Sequence, residues 1–201
     1  MLDPLDNRPH KVILSDDTEV FLRFFTDSDA EMLFQFYRNL PEEDRMVLKD
    51  DVTNRKIFLE LIDRIHKAVA TMILAFHQDK IVGESTLHRN LHGWTKHVGE
   101  LRAVILREYV GKGLTRALLK AQVEVANSKG LDKVVFRILD TQKDSKKALE
   151  EIGFVQEAVL SKHAIDLQGN FHDMIIMSNF VADLWRKMED LIRDTEFEVI
   201  P

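Results

Sequence analysis

Gly111 and Gly113 sit two residues apart, after a β-branched run and before a long amphipathic segment. Residues 97–106 (HVGELRAVIL) read as a strand. Residues 114–128 read as a helix whose stripe includes Leu114, Leu118, Ala121 and Val125, stopped by Gly130 as its C-terminal cap. Residues 133–139 (KVVFRIL) read as the next strand. A strand–helix–strand unit of this length implies a right-handed crossover and a locally parallel pair. Glycines let the backbone turn sharply and approach a ligand, and the helix N-terminus behind them offers unpaired N–H groups to an anion. A nucleotide P-loop is excluded, because it needs glycine where Leu106 stands and a hydroxyl where Gly113 stands. A dinucleotide fingerprint fails at Arg116, where a third glycine belongs. By itself the loop fits an anion site and a plain tight turn equally well.

The flanking segments are organised differently. Residues 18–26 (TEVFLRFFT) read as a strand, and Asp27-Ser28-Asp29 supplies N-cap chemistry for a helix through Tyr37. Pro41 opens an acidic stretch, and residues 54–66 form a second helix with Ile57, Leu61, Ile62 and Ile65 on one face. Residues 70–78 and 80–88 are strands about a tight turn at Asp79, and residues 90–96 form a longer hairpin loop. A helix over 144–152 ends at Gly153, followed by a hairpin of residues 154–165 and 171–178. The predicted fold is α/β: a mixed, mostly antiparallel sheet with one parallel crossover pair and flanking helices. Residues 1–178 are expected to form one domain with its first dozen residues a loose leader. Residues 179–201 are expected to add an amphipathic helix and tail. Leu184, Met188, Leu191 and Ile192 mark that helix's apolar side, which with Trp185 suits packing or a homodimer contact.

Composition narrows the class. With 45% hydrophobic and 31% charged residues among 201, the chain has the material of a soluble globular domain. It has no cysteine, which removes disulfide, thiolate and cysteine–zinc chemistry. A net charge of −6 argues against nucleic acid as a partner. No run approaches the ~20 apolar residues that span a bilayer, and the acidic, proline-containing start lacks signal-peptide character, so a cytoplasmic protein is expected. His88, His92 and His97 match no ligand spacing, and no metal is expected.

The text of residues 105–119, ILREYVGKGLTRALL, resembles the central signature of the GNAT N-acetyltransferase superfamily. Glu150-Glu151-Ile152-Gly153-Phe154 and the closing hairpin around Asp166-Leu167-Gln168-Gly169-Asn170 strengthen the likeness, which covers roughly residues 18–178. Two loop positions depart from it: Val110 replaces the family's Arg/Gln and Thr115 its last Gly/Ala. Gln142 stands where an asparagine is common, and Leu149 where a tyrosine acid is common.

The resemblance implies acetyl-CoA, or another acyl-CoA, as co-substrate. Its pyrophosphate would lie on Val110, Gly111, Lys112, Gly113, Leu114 and Thr115. Its pantetheine would run along Val104, Ile105 and Leu106, with a polar contact from Gln142. The implied reaction is direct attack on the thioester by a primary amine of a small molecule or protein. Glu100 is the implied general base, acting through water, although ungapped matching puts the family's glutamate nearer Gly99. Glu84 is the second candidate, and Glu100 reads equally as a salt-bridged residue beside Arg102. Asp50-Asp51 and Glu42-Glu43-Asp44 fall in the family's variable acceptor region. The missing tyrosine leaves a second reading open, an acyl-CoA-binding sensor with little turnover.

Overall fold

The computed structural model describes residues 8–45, 48, 50–166 and 168–192. Its strands are β1 (His10–Ile13), β2 (Glu19–Phe24), β3 (Ala70–His77), β4 (Lys80–Arg89), β5 (Val98–Ile105), β6 (Lys133–Leu139), β7 (Val155–Ile165) and β8 (Phe171–Phe180). Its helices are α1 (Ala30–Asn39), α2 (Glu42–Arg45), α3 (Arg55–His66), α4 (Leu114–Ser128), α5 (Lys143–Ile152) and α6 (Val181–Ile192). The strands form one sheet in the order β1-β2-β3-β4-β5-β6-β8-β7. Only β5 and β6 pair in parallel, joined by the α4 crossover, as the sequence predicts.

Helices cover both faces, and strand alternation sorts the side chains between them. Leu101, Ala103 and Ile105 of β5 join the cluster under α4, α5 and α6, built on Leu114, Leu118 and Leu184. Val104 joins the opposite cluster under α1 and α3, with Leu33, Tyr37 and Phe58. The amide Nε2 of Gln122, buried in α4, donates to the carbonyls of Ser85 (2.7 Å) and Thr71 (3.2 Å) and fixes that helix on the sheet. On the other face, Arg23 grips Asp29 with two bonds of 2.7 and 2.6 Å, and Asp29 also accepts from the Thr26 N–H. That network fixes the entry of α1.

Three segments depart from the sequence reading. Residues 10–13 are not loose but pair with β2, since Val12 and Leu14 bury themselves at the sheet's end. Four residues of which only Val12 is buried give too weak a period to read. The acidic stretch after Pro41 winds into the single turn α2. The helix expected from Asp27 begins as a 3-10 turn over Asp27–Asp29 before α1. Elsewhere Gln78 and Asp79 have φ of +50° and +61°, the positive values a two-residue hairpin turn requires. Val181 and Leu184 of α6 are buried in the α4 cluster, and Trp185 packs against it. The expectations placed on the first seven residues, on Leu167 and on the tail beyond Ile192 lie outside the described residues, as do the side chains of Met188, Leu191 and Ile192.

Candidate active site

β5 and β6 pair over four positions only, from Val98 opposite Lys133 to Leu101 opposite Phe136. Beyond that point β5 stays on β4 as far as Gly83 opposite Ile105, while β6 follows β8 as far as Leu139 opposite Met174. The two strands therefore part, and β5 keeps an open backbone edge from Arg102 onward. The parting leaves a notch of about 260 Å³ lined by Leu101, Arg102, Ile138, Leu139, Gln142 and Met174. Gln142 Oε1 accepts a 2.8 Å bond from the Leu139 N–H and so finishes β6 at the wall of the notch. Val104, Ile105 and Leu106 line up along the open edge, and all three are half-buried.

The glycine loop follows directly. A 3-10 turn over Arg107–Tyr109 leads into it, with Tyr109 buried beneath. Gly111 and Gly113 have φ of +77° and +95°, so both use the left-handed region that side chains disfavour. A Cβ on either would meet nothing within 4 Å, so the glycines open space as well as permit the turn. Leu114 is fully buried and anchors the loop, Val110 is exposed, and Thr115 is half-buried in the first turn of α4. The first amides of a helix have no intrahelical acceptor and face outward here with the positive end of its dipole. Lys112 does not add a free charge to this mouth. Its ammonium lies 2.8 Å from Asp16, and its hydrogen bond holds the Asp16 carboxyl down to about 2. The Ser15 N–H also donates to the Lys112 carbonyl (3.1 Å), so the β1–β2 turn braces the loop.

A larger cavity of about 720 Å³ opens on the α1/α3 face and shares Glu100, Arg102 and Arg137 with the notch. The β4–β5 register runs without a shift, so Glu100 pairs with His88 and shares its face. Gly99 points the other way, where a Cβ would lie 2.5 Å from Leu87 Cδ1 and 2.9 Å from Leu131 Cδ1. Glu100 itself stands 3.4 Å from Arg137. A small pocket of about 60 Å³ adjoins the same region, lined by Tyr37, Glu84, Thr86 and Arg102 among others. Arg102 borders all three spaces. One of its nitrogens reaches Asp50 (3.2 Å), and the other is buried with no hydrogen-bond partner.

Glu84 is the most perturbed carboxyl on this face. It is 3% exposed, and burial pushes its carboxyl up to about 7 against the opposing pull of the Thr86 hydroxyl, the Arg102 charge and the Tyr37 hydroxyl. Thr86 donates to it at 2.8 Å. Burial also pushes the Tyr37 hydroxyl well up, with the Glu84 charge adding to it. Leu149 is buried in the α4 cluster, away from any acid role. Arg102 and Tyr37 carry no sequence signal for this arrangement: one reads as a strand cation, the other as an apolar helix position. The run Glu84-Ser85-Thr86 does carry one, since three polar residues sit inside an otherwise apolar strand.

Comparison with known proteins decides the family. The model for the acetyltransferase (GNAT) domain matches residues 19–155. The chain belongs to the GNAT acetyltransferase family. Solved structures share the GNAT fold along most of its length. RimJ of Mycobacterium smegmatis, in complex with CoA-disulfide, is 14% identical, matches 93% of this chain and 96% of its own, and gives a TM-score of 0.72. Spermidine N-acetyltransferase of Vibrio cholerae, in complex with CoA and spermine, is 19% identical over 82% of this chain and 97% of its own, with a TM-score of 0.69. Ribosomal-protein-S5-alanine acetyltransferase of Vibrio fischeri is 19% identical over 82% and 94%, also with a TM-score of 0.69. At these identities the likeness is one of fold.

Proposed function

We propose that the protein transfers an acetyl group from acetyl-CoA to a primary amine by direct attack in a ternary complex. The observation that carries this reading is the open edge of β5, which runs into a glycine loop suited to an anion and lies beside a buried, proton-holding carboxyl, Glu84. Glu84 pairs with Val104 and lines the small pocket next to the larger cavity. The pyrophosphate lies on the loop from Val110 through Thr115. The Val110 and Lys112 amides brace the loop by donating to the Arg107 and Tyr109 carbonyls (3.1 and 3.4 Å). The ligand takes the N–H groups of Gly111, Gly113, Leu114 and Thr115, with the α4 dipole behind them. The pantetheine lies along Val104, Ile105 and Leu106, where peptide groups beyond the β6 pairing await partners, with Gln142 at its flank. The proteins of this fold solved with CoA or CoA-disulfide support that placement, and the one solved with spermine supports an amine as acceptor.

The amine nitrogen attacks the thioester carbon, the carbonyl oxygen gains charge, and the C–S bond then breaks to release the thiolate of CoA. The attacking nitrogen must shed a proton. Glu84 is the acceptor we assign, because a carboxylate held near 7 is matched to that task at neutral pH. The adjoining pocket has room for a bridging water between it and the larger cavity. Glu100, which borders both the notch and the cavity, orients the amine at the thioester. Leu149 leaves the thiolate to take its proton from water.

The test is thiol release from acetyl-CoA with a panel of amines and peptides. Turnover with at least one amine at acceptor-dependent rates supports the proposal. Binding of acetyl-CoA without any thiol release across the panel supports the sensor reading instead. Lys112→Ala gives a companion result: because Asp16 already holds the ammonium, acetyl-CoA affinity measured by calorimetry changes by less than about threefold, as for an exposed pair. A loss of tenfold or more would show that Lys112 leaves Asp16 for the phosphates.

A further inference from the structure

The 720 Å³ cavity is cationic in an acidic protein. Four arginines, Arg64, Arg89, Arg102 and Arg137, line it against two carboxylates, Asp50 and Glu100. With histidine neutral that leaves a formal +2, in a chain whose net charge is −6. The two acids are engaged: Asp50 by Arg102 at 3.2 Å and Glu100 by Arg137 at 3.4 Å. Arg64 and Arg89 have no carboxylate partner among the described residues, and Arg89 spends only its Nε on the Ala68 carbonyl (3.1 Å). The buried nitrogen of Arg102 without an acceptor adds a third unspent donor at the same cavity. His88 and His92 also line it.

These cations are not at the coenzyme's phosphates. The cavity reaches Val98, at the start of β5, whereas the glycine loop follows Ile105 at its end. Arg89 pairs with Gly99, six residue steps or about 20 Å of strand from Ile105, whereas Arg102 lies only three steps away. A polyamine would face four guanidinium groups and be repelled. A carboxylate or phosphate would find planar, paired donors that match its own geometry.

We infer that the acceptor is an amine carrying its own carboxylate or phosphate, with the anionic group held by Arg64 and Arg89 and the nitrogen directed toward Glu100 and the notch. The inference rests on the proposed acetyl transfer for the identity of the amine, but the anion pocket itself does not. Thiol release with acetyl-CoA is compared for two pairs that differ in an anionic group, O-phosphoethanolamine against ethanolamine and β-alanine against 3-aminopropanol, with spermidine as a cationic reference. The anionic member of at least one pair is expected to exceed its neutral partner at least tenfold in kcat/KM and to exceed spermidine. The pair that responds distinguishes phosphate from carboxylate. The double variant R64A/R89A removes most of that preference through KM of the amine and leaves KM for acetyl-CoA unchanged. Equal use of neutral and anionic partners, preference for spermidine, or a preference intact in the double variant overturns the inference. Should no amine turn over, calorimetry of O-phosphoethanolamine and β-alanine on the protein alone decides the pocket separately. Binding lost in R64A/R89A sustains it while acetyl transfer falls, and no binding of either overturns it.

Discussion

Gly113→Asp is expected to raise the Kd for acetyl-CoA at least 100-fold while leaving the fold intact. The two halves of that result have separate causes. Gly113 is the N-cap of α4 at φ +95°, and a side chain there meets no protein atom within 4 Å of its Cβ. The strain of the left-handed backbone costs about 1–2 kcal/mol, partly offset by aspartate's own quality as an N-cap. The carboxylate then sits in the space the pyrophosphate needs and brings like charge to it. Two unit charges about 4 Å apart near a surface repel by about 4 kcal/mol, which exceeds two decades of affinity. Calorimetry reads the affinity and thermal unfolding the fold. Unchanged affinity with an unchanged melting temperature would show that the pyrophosphate lies elsewhere.

Glu84→Gln is expected to lower kcat about 100-fold, the scale of a lost general base, and to erase the rise of the rate with pH near 7. The same substitution changes stability in a defined direction. The folded protein holds the Glu84 proton to about 7, whereas the unfolded chain releases it near its ordinary 4.5. Between those values the folded state binds more protons, so its stability falls as pH rises through the window. Removing the titration should therefore flatten that fall, by roughly 3 kcal/mol between pH 4.5 and pH 8. Urea unfolding at several pH values reads it. Glu100→Gln is the internal comparison. If Glu100 rather than Glu84 takes the proton, it is the Glu100 variant that loses the pH-dependent limb, and Glu84→Gln keeps it.

The crossover and its loop were legible because their signals are local. A glycine pair, a clean helical stripe from Leu114 and a β-branched run at residues 133–139 each declare themselves within a few residues. β1 was not legible, because four residues with one buried side chain, Val12, owe their pairing to β2 rather than to any period of their own. The notch was not legible: the resemblance implied only that pantetheine would run along Val104 to Leu106, the edge that borders it. It arises because β6 follows β8 while β5 follows β4, and such competition between partners leaves no mark in either strand. Glu84 and Glu100 were both visible as strand carboxylates. Their difference lies in burial. Glu84 is sealed beneath Tyr37 and its neighbours on α1, which pushes its carboxyl up against the pull of Thr86, Arg102 and Tyr37. A cover brought from that far along the chain leaves no local pattern. Lys112 looked like a phosphate ligand, and only the folded β1–β2 turn shows Asp16 already on it.

In the proposed complex one strand edge and one loop hold the donor. Amide hydrogen exchange read residue by residue, with and without acetyl-CoA, tests it most directly. New protection is expected at Val104 to Leu106 and at Gly111 to Thr115, with little change on the far edge strand β7. Protection absent from both segments at saturating acetyl-CoA would contradict it.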